Sequence, residues 1–363
     1  MDDLVGQGLG QYQLREVIRR GGGSTLYKAY EDGLHRWVAV RVLASPGDPD
    51  FAARFEREMH LVARLQHPSI VPILDHGRHG DLAYMVTAYV EDGGRLDGML
   101  GRPLPPASAC DLIGHILGAL AFAHDHGVVH RDLKPANILM SSPTWPMLGN
   151  FGVARMLAGD EGPSRDPRKV VGTPAYMAPE QAFGLPAEPR TDVYSAGIVL
   201  YEMLTGRVPF DEPTPAETLM RQAYEPPLSP RAAGAPDLPI EVETIVLKAL
   251  AKEPARRFAT AAEMANAIRA AQTVIAPSSA TAEAEALTEN YAAGVQAYAE
   301  GRWEEAVERL GRVLADDPSY EDVEELLETA RAERDGGSGP PASGGEGPAA
   351  PIGPAPVIPG SAR

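Results

Sequence analysis

Ten consecutive residues, His130 to Leu139, constrain this chain more than any other stretch. They read His-Arg-Asp-Leu-Lys-Pro-Ala-Asn-Ile-Leu and set a carboxylate (Asp132), an ammonium (Lys134) and a carboxamide (Asn137) within six residues. The proline bars the segment from a helix interior, so this is a loop that carries chemistry. A chain of 363 residues can build one large domain or two ordinary ones around it without covalent staples. Its single cysteine, Cys110, excludes a disulfide framework and a cysteine metal cluster, and points to a reducing compartment. No run of eighteen apolar residues occurs and the chain starts Met-Asp-Asp, so neither a membrane span nor a secretory signal is expected and the cytoplasm is the expected location. The formal net charge of −17 argues against a nucleic-acid partner.

In chain order, residues 11 to 45 alternate apolar and polar positions, broken by Gly21, Gly22 and Gly23, and predict three antiparallel strands. The triplet of glycines on its own is equally a plain hairpin turn. Phe51 to Leu65 reads as an amphipathic helix that carries Glu58 and ends at His67-Pro68, and Leu82 to Val90 as a further strand that carries Thr87. From Pro106 to Gly127, apolar residues at Leu112, Ile113, Ile116, Leu117, Leu120 and Phe122 recur with a helical period that buries one side. His124 and His126 read as residues of that helix's end, because no third metal ligand lies nearby. Beyond the loop stand Met147-Leu148-Gly149-Asn150-Phe151-Gly152, then Val170 to Gln181 (Val-Val-Gly-Thr-Pro-Ala-Tyr-Met-Ala-Pro-Glu-Gln), then Thr191-Asp192-Val193-Tyr194-Ser195-Ala196-Gly197, then Ala-Lys-Glu-Pro-Ala-Arg-Arg-Phe ending at Phe258.

In this order the motifs resemble those of bacterial eukaryotic-like (Hanks-type) serine/threonine protein kinases, over residues 10 to 271. The resemblance implies an α+β, bilobal fold in a domain of residues 1–271, with a small antiparallel-sheet lobe plus one helix (about 10–88) and a large helical lobe (about 91–271). It assigns Asp132 to accept the proton of an attacking hydroxyl, Lys134 to steady the transferring phosphoryl group, Asn137 to a metal ion and Thr173 to the substrate-facing loop. On the nucleotide side it assigns Gly21 to Gly23 to the phosphate-covering turn, Leu26 and Ala39 to the wall above the adenine, Leu139 to the wall below it, and Thr87 to the gate of the back pocket. His130, Arg131 and Phe151 become structural positions, Asp192 is expected buried against the catalytic-loop backbone, and Arg257 is expected to pair with Glu180.

Three departures from the family pattern fall on the nucleotide side. Aligned on Tyr27-Lys28-Ala29, the positions of Gly-x-Gly-x-x-Gly hold Arg19, Gly21 and Ser24. Arg41, in Val-Ala-Val-Arg, stands where the family has its phosphate-binding lysine, and a planar fork is no conservative substitute for a compact ammonium. It is expected to pair with Glu58, unless Glu58 is an ordinary exposed helix carboxylate. Asn150 replaces the aspartate that binds magnesium, and brings one neutral oxygen to a site built around a hard dication. Asn137 and Asn150 would therefore hold Mg2+ weakly or not at all. If each change raised the barrier by about 3 kcal/mol independently, transfer would slow roughly a millionfold, less if the residues act together. The expectation is a pseudokinase that signals through protein partners, with ATP bound without metal. The alternative is an active Ser/Thr kinase in which Arg19, Arg20 or Lys28 supplies the phosphate contact. A third reading is an adaptor whose site stays empty. Ser164 is the one hydroxyl between Gly152 and Gly172, which leaves little for control by phosphorylation of that loop.

Residues 272–287 are small and polar and read as a linker. Residues 288–334 resemble a tetratricopeptide unit at Gly294, Tyr298, Gly301, Trp303, Ala306, Leu310 and Pro318 with a further helix, or else form a plain helical hairpin. One such unit cannot bury its own apolar face, so it is expected to dock on the kinase lobes, on a second copy or on another protein. Between Thr281 and Asp335, sixteen acidic residues stand against five basic ones, a solvated helical face or a surface for a basic partner. Residues 335–363, rich in Gly, Pro, Ala and Ser, are expected to be disordered.

Overall fold

The computed structural model describes residues 4–21, 23–44, 50–90, 94–152, 173–275, 279–316 and 323–336. Gly22, Ser164, Pro318 and the tail 337–363 lie outside these residues. The chain divides into two compact units, Met1–Ala276 and Pro277–Arg363.

The first unit opens with a sheet of β1 (Gly8–Leu9), β2 (Tyr12–Gly21), β3 (Ser24–Glu31), β4 (Arg36–Ala44), β5 (Ile73–His79) and β6 (Leu82–Ala88), in the order β1-β2-β3-β4-β6-β5 with antiparallel neighbours. The strict alternation in β4 decides its two faces. Val38, Val40 and Val42 join Tyr12, Leu14, Tyr27 and Val86 in an apolar layer on one side. Leu43 and Met85 face the other side, where Phe55, Met59 and Val62 of α1 (Phe51–Val62) cover the sheet. Arg41 shares the face of Leu43, two residues away, and so points toward the interior of the unit.

The large lobe is built on α2 (Pro106–Asp125), α3 (Pro179–Ala182), α4 (Pro189–Thr205), α5 (Pro215–Tyr224), α6 (Ile240–Ala249) and α7 (Ala261–Ile275), with the hairpin β7 (Ile138–Ser142) and β8 (Trp145–Leu148). By length and composition α2 passes as a membrane span, with a mean hydropathy of 1.4 over eighteen residues. Its Leu112, Ile113, Ile116, Leu117 and Leu120 are buried in the lobe's core, which accounts for that composition. The unit is thus the bilobal α+β fold the resemblance implies, and the loop of residues 130–137 lies between α2 and β7.

The second unit holds α8 (Ser279–Ala299), α9 (Trp303–Asp316) and α10 (Val323–Gly336). Leu310, Val313, Val323 and Leu327 form its core, and Ala297, Ala306 and Ala330 a second small cluster. The boundary between the units falls within the expected linker 272–287, whose described residues are helical, since 272–275 complete α7 and 279–287 open α8. The run Ala-Thr-Ala-Glu-Ala-Glu-Ala-Leu from Ala280 is dense in strong helix formers, and that outweighs its small, polar character.

Candidate active-site cleft

Asp192, at the first turn of α4, is fully buried and fixes the loop from below. Its carboxylate accepts the backbone N–H of His130 at 2.7 Å and of Arg131 at 2.8 Å, and the Nε2–H of His124 at 2.8 Å. Burial pushes this carboxyl up, but the hydrogen bond and charge of His124, with His130 and the Arg131 amide, outweigh it and hold the group below the usual carboxylate range. Arg131 takes a left-handed backbone (φ 68°), a conformation that this anchor stabilises. His130 donates from Nε2 to the Gly149 carbonyl at 2.9 Å, accepts the Asp132 N–H on Nδ1 at 3.3 Å, and packs edge-on against Phe151 at 4.6 Å. His124, read from sequence as a helix-end residue, is therefore part of the loop's support. No local pattern marks that role, because its partner lies 68 residues away.

The residues expected on the acceptor side are brought together. Lys134 Nζ donates to Asp132 Oδ1 at 2.9 Å and to Thr173 Oγ1 at 3.1 Å, and Asn137 Nδ2 donates to Asp132 Oδ2 at 2.9 Å and to the Asp132 carbonyl at 2.7 Å. The loop after Thr173 is held by residues the sequence does not single out. Lys252 donates to the Tyr194 hydroxyl, which donates to Gln222 Oε1, and Gln222 Nε2 donates to the Ala175 carbonyl at 2.6 Å. Beneath it, Arg257 grips Glu180 in two bonds of 2.8 Å.

The nucleotide side is arranged differently from the sequence expectation. Arg41 does not hold Glu58, which is a buried residue of α1 and not an exposed one. Its Nη1 donates to Ser24 Oγ at 2.9 Å and its Nη2 to Asn150 Oδ1 at 2.6 Å. Asn150 in turn donates from Nδ2 to Asn137 Oδ1 at 2.6 Å. The physical reason is charge and reach: the wide fork on β4 finds two neutral acceptors across the cleft mouth, one of which is a carboxamide where the family has an acid. Asn150 sits at φ 67°, a left-handed conformation that asparagine tolerates better than most residues. The result is a side-chain relay from Ser24 through Arg41, Asn150, Asn137, Asp132 and Lys134 to Thr173.

Gly21 pairs with Ser24 at the end of the β2–β3 ladder, and Gly23, in the link between the two strands, sits at φ 77°. Arg19, Leu26 and Arg41 fall on one rung across β2, β3 and β4, and Ala39 pairs with Thr87. Leu139 lies on β7 in the other lobe. Arg19 reaches the Ala136 carbonyl of the loop at 3.5 Å. Burial first, and Arg19 second, push the Arg41 guanidinium down to about 10, so it stays cationic at neutral pH. A groove of about 340 Å³ lies elsewhere, lined by His67, Ser69, Cys110, His115, Trp145 and Gln272, and contains none of the cleft residues.

The family implies ATP with magnesium, and the donor set here does not fit the metal. Asn137 Oδ1 already accepts from Asn150, and Asn150 Oδ1 accepts from a guanidinium. Both are neutral oxygens, where a hard dication needs charged ones. Among the described residues, no three or more His, Cys, Asp or Glu side chains converge as metal ligands.

Residues 12–268 match the protein kinase domain family. Serine/threonine-protein kinase PknB of Mycolicibacterium smegmatis is 42% identical over 262 residues, covering 70% of this chain and 42% of that protein. PknB of Mycobacterium tuberculosis is 40% identical over the same length, with the same coverage. The chain thus spans about two fifths of the length of these relatives. The crystal structure of the Mycobacterium tuberculosis PknI kinase domain, in a point-mutant form, superposes with a TM-score of 0.60 at 27% identity, covering 75% of this chain and 100% of that one. With the family match running through both lobes and the cleft, the chain belongs to the protein kinase domain family.

Proposed function

We propose that this chain is a pseudokinase, a kinase fold that signals through protein contacts with phosphoryl transfer absent or very weak. The observation that carries the reading is the bond from Arg41 to Asn150 and on to Asn137. It ties up the two oxygens a metal would need and turns the phosphate-side cation toward a carboxamide. Phosphoryl transfer depends on positioned charge more than on covalent chemistry, so these losses fall on the rate itself. The helices α8 to α10 of the second unit supply a further surface for a protein partner.

A second reading, an active Ser/Thr kinase with displaced phosphate contacts, is favoured by the intact geometry of Asp132, Lys134 and Thr173 and by the kinases named among the relatives. Incubation of the purified chain with labelled ATP and magnesium or manganese separates the two. The expected result is no phosphate incorporation above that of Asp132→Ala, and incorporation that disappears in that variant establishes the second reading.

A further inference from the structure

Relative to the family pattern, Arg19 in place of a glycine adds one positive charge to the cleft and Asn150 in place of an aspartate removes one negative charge. Arg41 in place of lysine leaves the count unchanged. The sum is a gain of two positive charges, the charge of one divalent cation.

The geometry puts that charge in one place. Arg19 and Arg41 flank Leu26 on a single rung, so their side chains leave the same face of the sheet. Two strand spacings separate their backbones by about 10 Å. Arg41 Nε is buried with no hydrogen-bond partner among the described residues, while Nη1 points at the glycine turn through Ser24. Lys134 adds a third cation from the opposite lobe, against the carboxylate of Asp132. Like charges facing one another across Leu26 are relieved by a shared anion, and guanidinium forks match phosphate oxygens in pairs.

We propose that Arg19 and Arg41 together stand in for the divalent cation, so that the cleft binds a nucleoside triphosphate as the free polyanion and not as its metal chelate. This rests on the proposed pseudokinase reading keeping the cleft as a nucleotide site, as the kinase family implies. Magnesium on the phosphates removes two of the ligand's charges from guanidinium groups that need them, and the cleft offers the metal no charged oxygen in return. Magnesium therefore opposes binding.

The test is calorimetric titration of the full chain with ATP in excess EDTA, and again in excess magnesium chloride. Binding is expected in EDTA and to be about tenfold weaker with magnesium, the effect of weakening one charge-assisted contact. Arg19→Gly and the longer Arg19→Gln are each expected to lower the EDTA affinity about tenfold. Arg19 is exposed, and melting curves report whether either variant is folded. Adding Asn150→Asp to Arg19→Gly is expected to reverse the order of the two titrations. Equal or tighter binding with magnesium in the unmodified chain overturns the proposal, and so does absence of binding in EDTA. The pseudokinase reading fails on a different readout, phosphate incorporation, so the two outcomes are distinguishable.

Discussion

At position 150, a carboxylate and a carboxamide have nearly the same shape, and asparagine also accepts the left-handed backbone there. What changes is charge and hydrogen-bonding sense. A carboxylate only accepts, whereas Asn150 both accepts from Arg41 and donates to Asn137, which is what closes the relay across the cleft. Arg41 depends on the same exchange, since its Nη2 fills the oxygen side of that carboxamide. The two substitutions are thus hydrogen-bonded to each other, and are reverted together. The double variant Arg41→Lys with Asn150→Asp is expected to raise magnesium-dependent phosphate transfer to a generic protein acceptor by about a hundredfold or more, the usual weight of a preorganised charge in a transition state. Radiolabel incorporation measures it, and an unchanged rate argues for a transfer geometry other than the family's.

Among the helices, α4 does the most to place the cleft, because it carries Asp192 at its start and is buried along nearly its whole length. Its neighbour α6 approaches so closely at Gly197 that a Cβ there would lie 2.8 Å from Ala249 Cβ and 3.1 Å from Leu250 Cδ2. Glycine inside a helix costs about 1 kcal/mol against alanine, and overpacking a tight core costs about 1–3 kcal/mol. The second effect wins here, since Ala249 Cβ is fixed to backbone and has no flexible end to move. Gly197→Ala is therefore expected to destabilise the first unit by about 1 kcal/mol, read as a lower urea midpoint with an unchanged slope. A higher midpoint would mean that α6 shifts away at little cost.

At the largest scale, among the described residues, the buried Asp192 and Glu180 and the half-buried Glu202 carry shifted carboxyls that set the response to acid. Burial pushes Glu202 up, and although its bond from Tyr176 opposes this, the group is held above its usual range. Folding is therefore helped as pH falls from neutral toward the usual glutamate value of about 4.3. Asp192 and Glu180 go the other way. In each, burial raises the group, but His124 for the former and Arg257 for the latter outweigh it and leave it lowered. Their stabilisation is complete above the unfolded values of about 4 and is lost as pH falls through the lower folded ones. The melting temperature is expected to hold from pH 7 to about pH 5 and to fall steeply below about pH 4. A melting temperature that stays level to pH 3 contradicts the assignment. The groups that meet in the cleft were legible in the chain, because the identities at Asp132, Asn137, Arg41 and Asn150 and the periodicity that builds the lobes are local properties. The expected linker 272–287 was also legible, since the boundary between the two units falls at Ala276–Pro277, although most of its described residues are helical. That Arg41 turns to Asn150 and not to Glu58, and that His124 supports Asp192, is settled by folding alone. Those partners lie 109 and 68 residues apart, and a hydrogen bond is settled by distance in space, which no spacing along the chain records.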